Sequence, residues 1–477
     1  MVLMFGRVGR LAMVLGLVLA ATGAGVGVVS ASVTTRVSTL AVAAPACVRA
    51  VDHGAVPDDG LDDRDALQRA ITAAQDGPGC LELAAGRFHA TRRPGGSDSI
   101  GSLRITEPLT VRGAGVGVGV TVLAMLGSGT CPGCSAPQDW ILVEIAGGAS
   151  GVAVSDLSLD GSQRSNTGEQ THLLQLTGPT RDVLVERLAF TLPTMGASTG
   201  GDCVRLLGAL GTAPALVVNT TIRDVVGLDC DRSFVSLQRG VQGLVVERGE
   251  SVRVGDQAID FEPTGGTGCE TLVRDVQLRR LTLRTGRSSG ATVTVAGKGC
   301  KVVRGVTLTD SVVEDGGVFV LNAHDVTLSR LHLRSVPGSA QAPVLARERI
   351  VNLRVLDSVV ERVAASGPGA AVRVSGQDTA RPTDVLLSGV RVPSATPEPL
   401  IHTTNLARLS IVDAELVHRG APVANAAVHV SAVPATPAES PTLTDTAVCG
   451  ALAGVITTAG QVGQPVLVRV TGPSDCP

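Results

Sequence analysis

The 477-residue sequence has no tyrosine, one tryptophan (Trp140) and six phenylalanines. Scarce aromatics argue against a cleft built on stacking platforms, the usual grip on neutral sugars or single-stranded nucleic acid. Charge of one sign is also lacking: 40 basic residues face 43 acidic ones, for a net charge of -3. A general affinity for nucleic acid or anionic membrane is therefore not expected. Lysine is nearly missing, with only Lys298 and Lys301, so arginine carries almost all the positive charge. No further stretch of helical period follows residue 80. Ordinary βαβ architecture is thereby disfavoured, because its parallel strands need a crossover helix of ten or more residues.

What is plentiful is Val, Leu, Ala and Gly. The 44% apolar content supports a large core despite 58 Gly and 25 Pro. At the start, Arg7 and Arg10 precede an apolar run over residues 11–29, and small residues ending at Ala31 suit signal peptidase. Residues 1–31 thus read as a signal peptide and the mature protein as exported and monomeric, with no membrane contact after cleavage. A retained anchor is the other reading, but the Gly- and Ala-rich second half of the run gives it little hydrophobic drive. Residues 32–46 read as a disordered segment and 47–432 as the structured domain. Residues 433–477, opening with "VPATPAESPT", read as a Pro-rich break and carboxyl-terminal cap.

Short apolar-polar-apolar runs recur, centred on Gln175, Arg205, Ser236, Asp260 and Thr294, at steps of 30, 31, 24 and 34 residues. The pattern resumes at Arg373, His402 and His429, with steps of 29 and 27. A second series of Val/Leu-rich runs lies between them, with Gly, Asp, Asn or Ser at the corners. The simplest object with this repeat is an all-β parallel β-helix, in which each strand stacks on its equivalent one coil later, about 4.8 Å away. The one helical pattern, "GLDDRDALQRAITAA" at 60–74, carries an apolar stripe of Ala66, Leu67, Ala70 and Ile71 behind Asp62 or Asp63. It reads as a lid over the open amino-terminal end of the solenoid.

Residues 51–71 resemble the amino-terminal signature of the pectate-lyase-like right-handed β-helix superfamily. That signature is an Asp-x-Gly-Ala, an Asp-Gly loop, another Asp, then a helix reading Ala-Leu-x-x-Ala-Ile. Here these are Asp52, Gly54, Ala55, Asp59, Gly60, Asp62 or Asp63, Ala66, Leu67, Ala70 and Ile71. "LSLDGS" at 157–162, "THLLQL" at 171–176 and "IDFEPTGG" at 259–266 are similar to later family strands. The resemblance implies a right-handed β-helix with a carbohydrate-related role, in a superfamily of lyases, polygalacturonases, rhamnogalacturonases, epimerases and tailspikes. The polygalacturonase motifs are missing apart from a partial match at Gly201-Asp202-Cys203, and the calcium-binding aspartates of classical pectate lyases are not found.

Ten cysteines in an exported chain can all pair. Taken in order they give Cys47–Cys80, Cys131–Cys134, Cys203–Cys230, Cys269–Cys300 and Cys449–Cys476. Three of the separations, 27, 31 and 27 residues, match one coil. "CPGC" at 131–134 has a redox or zinc half-site as its alternative, without the second pair or the fold context that either needs.

In "GDQAIDFEPTGG" (255–266), period-two alternation sends Ile259 and Phe261 to one face and Asp260 and Glu262 to the other. Stacking puts Gln175, Arg205, Ser236, Asp260 and Thr294 in one outward column and Gln238 and Glu262 in the next. Turns entering the same face bring His172, Asp202, Asp231, Arg232 and Asp256, and Arg239 lies just past its strand. Asp260, Glu262, Asp202 and Asp231 are candidate catalytic carboxylates, because glycosidic cleavage needs one acid and one carboxylate base or nucleophile. Side-chain origins roughly 6.6 Å apart on one strand face suit the wider spacing of an inverting hydrolase. Arg205 and Arg239 are candidates for gripping a uronate, with His172, Gln238 and Asp256 as further substrate contacts. The plain alternative is that these acids and arginines are solvated and pair with one another, and His402 and His429 read as solvated column residues.

The expectation is a secreted glycosidase acting on an acidic or polar polysaccharide, without a cofactor; calcium enters only for a lyase. A lyase or epimerase of the same fold, and a non-catalytic glycan-binding surface protein, are the alternatives.

Overall fold

The computed structural model describes residues 46–477 apart from 94–100, 118, 128–139, 162–170, 192–200, 209–214, 264–272, 286–289, 336–340, 364–368, 378–379, 420–424, 433–437, 451, 453, 461 and 472–477. The signal-peptide and disordered-segment expectations fall outside these residues. So do Cys131, Cys134, Cys269 and Cys476.

The chain winds as a parallel β-helix with three short strands per coil. One coil, for example, is Val303–Thr309, Val312–Asp315 and Val318–Leu321. Each strand pairs in parallel with its equivalents above and below. Thirteen strands, from Leu103–Ile105 to Gly454–Ala459, stack as one continuous sheet. The other two faces share a second sheet of 27 strands. Inward positions form aliphatic ladders such as Val235, Ile259, Val293, Val318, Val344, Val372, Ile401 and Val428, all buried. β-branched side chains at this spacing pack onto their own kind, which is why so few aromatic rings suffice. Phe261 belongs to a neighbouring ladder and points inward, so Asp260 and Glu262 do share the outer face.

The lid is the helix Arg64–Gln75, which buries Ala66, Leu67, Ala70, Ile71 and Ala74 on the first coils. The acids of the preceding loop protect the first strand edge. Asp58, Asp63 and Asp62 accept hydrogen bonds from the backbone N–H of Arg87, His89 and Thr91 at 2.9, 3.1 and 2.9 Å. Alternate N–H groups of an outermost strand would otherwise be free, so these carboxylates replace the missing coil. Cys47–Cys80 fastens this region, with Cα atoms 4.9 Å apart. Cys203–Cys230 ties consecutive coils, and Cys300 and Cys449 are also disulfide-bonded.

The carboxyl-terminal expectation needs correction. Strands Thr442–Thr444, Ala447–Cys449, Gly454–Ala459 and Val466–Val468 continue the same ladders. Residues 442–468 are therefore further coil and not a separate cap. Residues 433–437 of the Pro-rich stretch lie outside the described residues.

At one corner a residue with positive φ recurs in each coil, within the strands at Asp156 and Arg187 and just after the strand at Asp224, Arg248, Arg280, Asp310, Arg330, Asp357, Gly389, Asp413, Asp445 and Arg469. Arg187, Arg248 and Arg330 each grip the aspartate one coil earlier with two nitrogens, as at 2.6 and 2.8 Å for Arg330 on Asp310. These pairs are exposed, which limits each to about 0–1 kcal/mol. Left-handed backbone costs a non-glycine residue about as much. Gly389 already occupies one position in this column. Arg330→Gly is accordingly expected to change unfolding free energy by less than about 1 kcal/mol, whereas Arg330→Val, branched at a left-handed position, should destabilise clearly more in the same denaturant titration.

Candidate functional site

The proposed register is the observed one. Gln175, Arg205, Ser236, Asp260 and Thr294 are successive Cα partners across five strands, with Gln238 beside Glu262 in the next column. The turns stack as tightly as the strands. A Cβ on Gly201 would lie 1.1 Å from the Thr171 carbonyl oxygen, and one on Gly255 would lie 1.7 Å from that of Asp231. Only glycine permits this approach, and it brings the following residues, Asp202 and Asp256, to the same flank.

Arg232 is the hub. Its Nη2 lies 3.1 Å from Asp260 Oδ2 and 2.5 Å from Glu262 Oε2, and its Nε lies 3.9 Å from Asp202 Oδ1. Three carboxylates from the two flanking coils thus surround one guanidinium from the coil between them, which stands where a cation is needed to hold them together. Gln238 Nε2 donates to Glu262 Oε2 at 3.0 Å, and Gln238 Oε1 accepts from Arg205 Nε and Nη2 at 3.0 and 2.6 Å. Arg205 Nη1 reaches His172 Nε2 at 2.7 Å. Beyond Gln175 the chain of contacts runs through Thr177 to Glu144 and Arg104.

Burial separates these residues by role. Asp202 and His172 have no exposed surface, and neither Asp202 oxygen has a well-directed hydrogen bond. They meet the cleft only through Arg232 and Arg205, so His172 is no direct substrate contact. Burial, with Arg205 and Arg232 alongside, holds the His172 imidazole neutral by lowering its pKa well below the usual value. The Asp202 backbone N–H at 2.9 Å and Arg205 Nη1 both aim donors at the ring, whereas a neutral imidazole accepts at one nitrogen only. Burial raises the Asp202 carboxyl to about 6 against the pull of Arg232 and Arg205. Asp260 is pushed up to about 7, by burial first and then by the negative charge of Glu262. Glu262 is the accessible member, with a side chain 39% exposed.

Asp260 and Glu262 line an open cleft of about 520 Å³ together with Arg232, Asp256, Thr294 and Lys298. Their oxygens share one nitrogen and so stand no farther apart than the sum of its two contacts. The side-chain origins two residues apart on one strand face therefore do not keep the carboxyl groups apart: both reach the same Arg232 nitrogen. Asp231 is buried beside the site and is not among Arg232's ion-pair partners. Arg239 forms no ion pair among the described residues; its charge bears on Arg205. Lys298 is likewise unpaired there, on the cleft wall. Sequence reasoning passed over Lys298 and gave Arg232 no role. The signal for Lys298 was its rarity, since both lysines fall in the turn Gly297–Lys301 that edges this cleft. Among the described residues, no three His, Cys, Asp or Glu side chains are grouped to hold a metal ion.

No family model matches the chain. Mannuronan C5-epimerase AlgE1 of Azotobacter vinelandii is 30% identical over 194 residues, 39% of this chain, and the chain spans only 12% of that relative's length. Two solved structures share the fold along most of the chain. The Azotobacter vinelandii mannuronan C-5 epimerase AlgE6 A-module, 17% identical, has a TM-score of 0.51 over 89% of this chain and 97% of its own. The Yersinia enterocolitica family 28 exopolygalacturonase, 12% identical, has a TM-score of 0.52 over 88% and 79%. The chain folds as a right-handed parallel β-helix. Asp260 and Glu262 stand on an outer flank of the coil, away from the packed interior.

The raised Asp202 carboxyl gives a stability prediction. Its proton is held in the folded state up to about pH 6 but released near 3.8 in the unfolded chain. The stabilisation is therefore full below 3.8 and is lost as pH rises through 6, at about 1.4 kcal/mol per pH unit for one such group. Asp202→Asn should flatten the decline between pH 4 and 6 in a Tm-against-pH series; an unchanged slope would show that Asp202 ionises freely.

Proposed function

We propose that this β-helix hydrolyses an acidic or polar polysaccharide, with Asp260 as general acid and Glu262 as its ionised partner. One observation carries the reading: a carboxyl held protonated near neutral pH stands beside an exposed carboxylate on the wall of a cleft. Burial keeps the proton on Asp260 while Glu262 stands open to the cleft, and such a difference in environment assigns two acids opposite roles. Asp260 gives its proton to the leaving glycosidic oxygen. Glu262 attacks the anomeric carbon as that bond breaks, forming a glycosyl ester. Water then cleaves the ester, its proton passing to the Asp260 carboxylate. The close approach of the two carboxyls favours this double displacement with retention over the inverting route first expected from strand spacing. Lys298 and Arg239 supply positive charge for an acidic sugar.

A second reading, epimerisation or elimination at a uronate, is favoured by the similarity to a mannuronan C5-epimerase. There Glu262 would take the C5 proton, and the acid would return a proton to the opposite face or to the leaving oxygen. The assay that separates the readings follows polysaccharide by reducing ends, by absorbance of unsaturated uronates and by proton NMR of C5 configuration. New reducing ends without unsaturation support hydrolysis. Changed C5 configuration without chain cleavage supports epimerisation, and no change in any readout leaves a glycan-binding flank.

For the hydrolase, Asp260→Asn is expected to lower kcat by about 10²–10⁴-fold. The wild-type rate should fall above about pH 7 as Asp260 loses its proton, and this alkaline limb should be missing from the residual activity of Asp260→Asn. A limb that persists unchanged in the variant would assign the acid elsewhere.

A further inference from the structure

The flank that carries the cleft does not end there. From Asp260 the outward column continues in register through Thr294, Phe319, Leu345, Arg373, His402 and His429. Six steps at about 4.8 Å make a track of about 29 Å. Its character changes along the way. Phe319 and Leu345 are partly exposed apolar side chains next to the cleft, and beyond them the face turns basic. Arg347 stands one step past the cleft-lining Leu321, and it and Arg373 are exposed without an ion pair among the described residues. The His402 and His429 rings meet edge to face with centroids 5.0 Å apart, and His429 Nδ1 lies 2.9 Å from Thr457 Oγ1.

Among the described residues, no outward position on these strands is a carboxylate. The other outward positions on the strands Val344–Arg347 through Gly454–Ala459 are Ser375, Thr404, Ala427, Ser431, Val455, Thr457 and Ala459; the acids of the adjoining turns are Glu348, next to Arg347, and Glu398, before the His402 strand. The charged groups that bear on His402 are His429 and Arg373. At the corner ladder, by contrast, arginines face aspartates on the adjacent coil. Positive charges repeated at strand spacing, on strands that present no carboxylate among the described residues, are suited to a ligand that brings negative charges in a row.

We infer that Arg347, Arg373, His402 and His429 form a second glycan-binding patch for a polyanionic stretch of the polysaccharide, strengthened when the histidine pair takes up a proton. The inference rests on the polysaccharide reading of the cleft and extends it along the same flank. Adding a proton to either ring places a charge beside Arg373 and the other histidine, which is unfavourable in the free protein. A bound carboxylate row relieves that repulsion, so binding and protonation reinforce each other. The patch then retains the acidic chain while the cleft acts on it.

The test uses an Asp260→Asn, Glu262→Gln double variant, which keeps the cleft from cleaving and from titrating through those two groups. Calorimetric titration with a homopolymeric oligouronate long enough to span the track is compared at pH 5.5 and 7.5. Binding is expected to tighten about tenfold at the lower pH. Adding His402→Gln and His429→Gln should abolish that step, and Arg373→Gln should weaken binding at both pH values. A carboxyl-reduced, neutral oligosaccharide should show no step. A step that survives in the histidine variant or with the neutral sugar, or no step at all, overturns the patch. The outcome is independent of turnover. A protein that binds in this way but cleaves nothing loses the hydrolase and keeps the patch; one that cleaves without the pH step does the reverse.

Discussion

One guanidinium, that of Arg232, gathers three carboxylates delivered by the coils on either side of its own. Arg205 adds a second positive charge through Gln238, and His172 is neutral. Two cations against three carboxylates leave the buried cluster one charge in excess, and a buried excess charge is costly. Retaining one proton removes it. Asp260, shielded from water and next to Glu262, is where that proton is held most firmly. The acid at the cleft wall is thus a consequence first of burial and then of the Glu262 charge beside it.

The solenoid makes such a network possible because it repeats at a spacing shorter than an arginine side chain. Residues from Gly201 to Glu262 lie three coils apart in sequence yet within reach of one side chain, since each strand is directly below the next. Glycines at 201 and 255 let the turns close to the same spacing, and Cys203–Cys230 locks the pair of turns that supply Asp202 and Arg232. Continuing the same register toward the carboxyl end carries the flank from acidic through apolar to basic, without any change of backbone plan.

Much of this was legible in the sequence. Period-two alternation sorted Asp260 and Glu262 from Phe261, and the recurrence of short apolar runs gave the column from Gln175 to Thr294 residue for residue. Cysteine order gave Cys47–Cys80 and Cys203–Cys230, and the apolar stripe of the lid helix was read from its spacing. Depth was not legible. Outward on a strand does not mean wet, and Asp202, His172 and Gln175 are covered by neighbours that alternation does not count. The direction in which Asp260 and Glu262 lean depends on Arg232, a turn residue with no strand period to place it. The carboxyl-terminal coils were hidden by a Pro-rich stretch whose composition resembles a domain end.

The claim on which the account turns is that Asp260 keeps its proton near neutral pH, and infrared titration of the carboxyl stretch tests it directly. A protonated carboxyl band that disappears between about pH 6 and 8 in the wild type, and is missing from the same titration of Asp260→Asn, is the predicted result. If every carboxyl of the wild type has ionised by about pH 5, the Arg232 cluster holds no proton and Asp260 is not the acid.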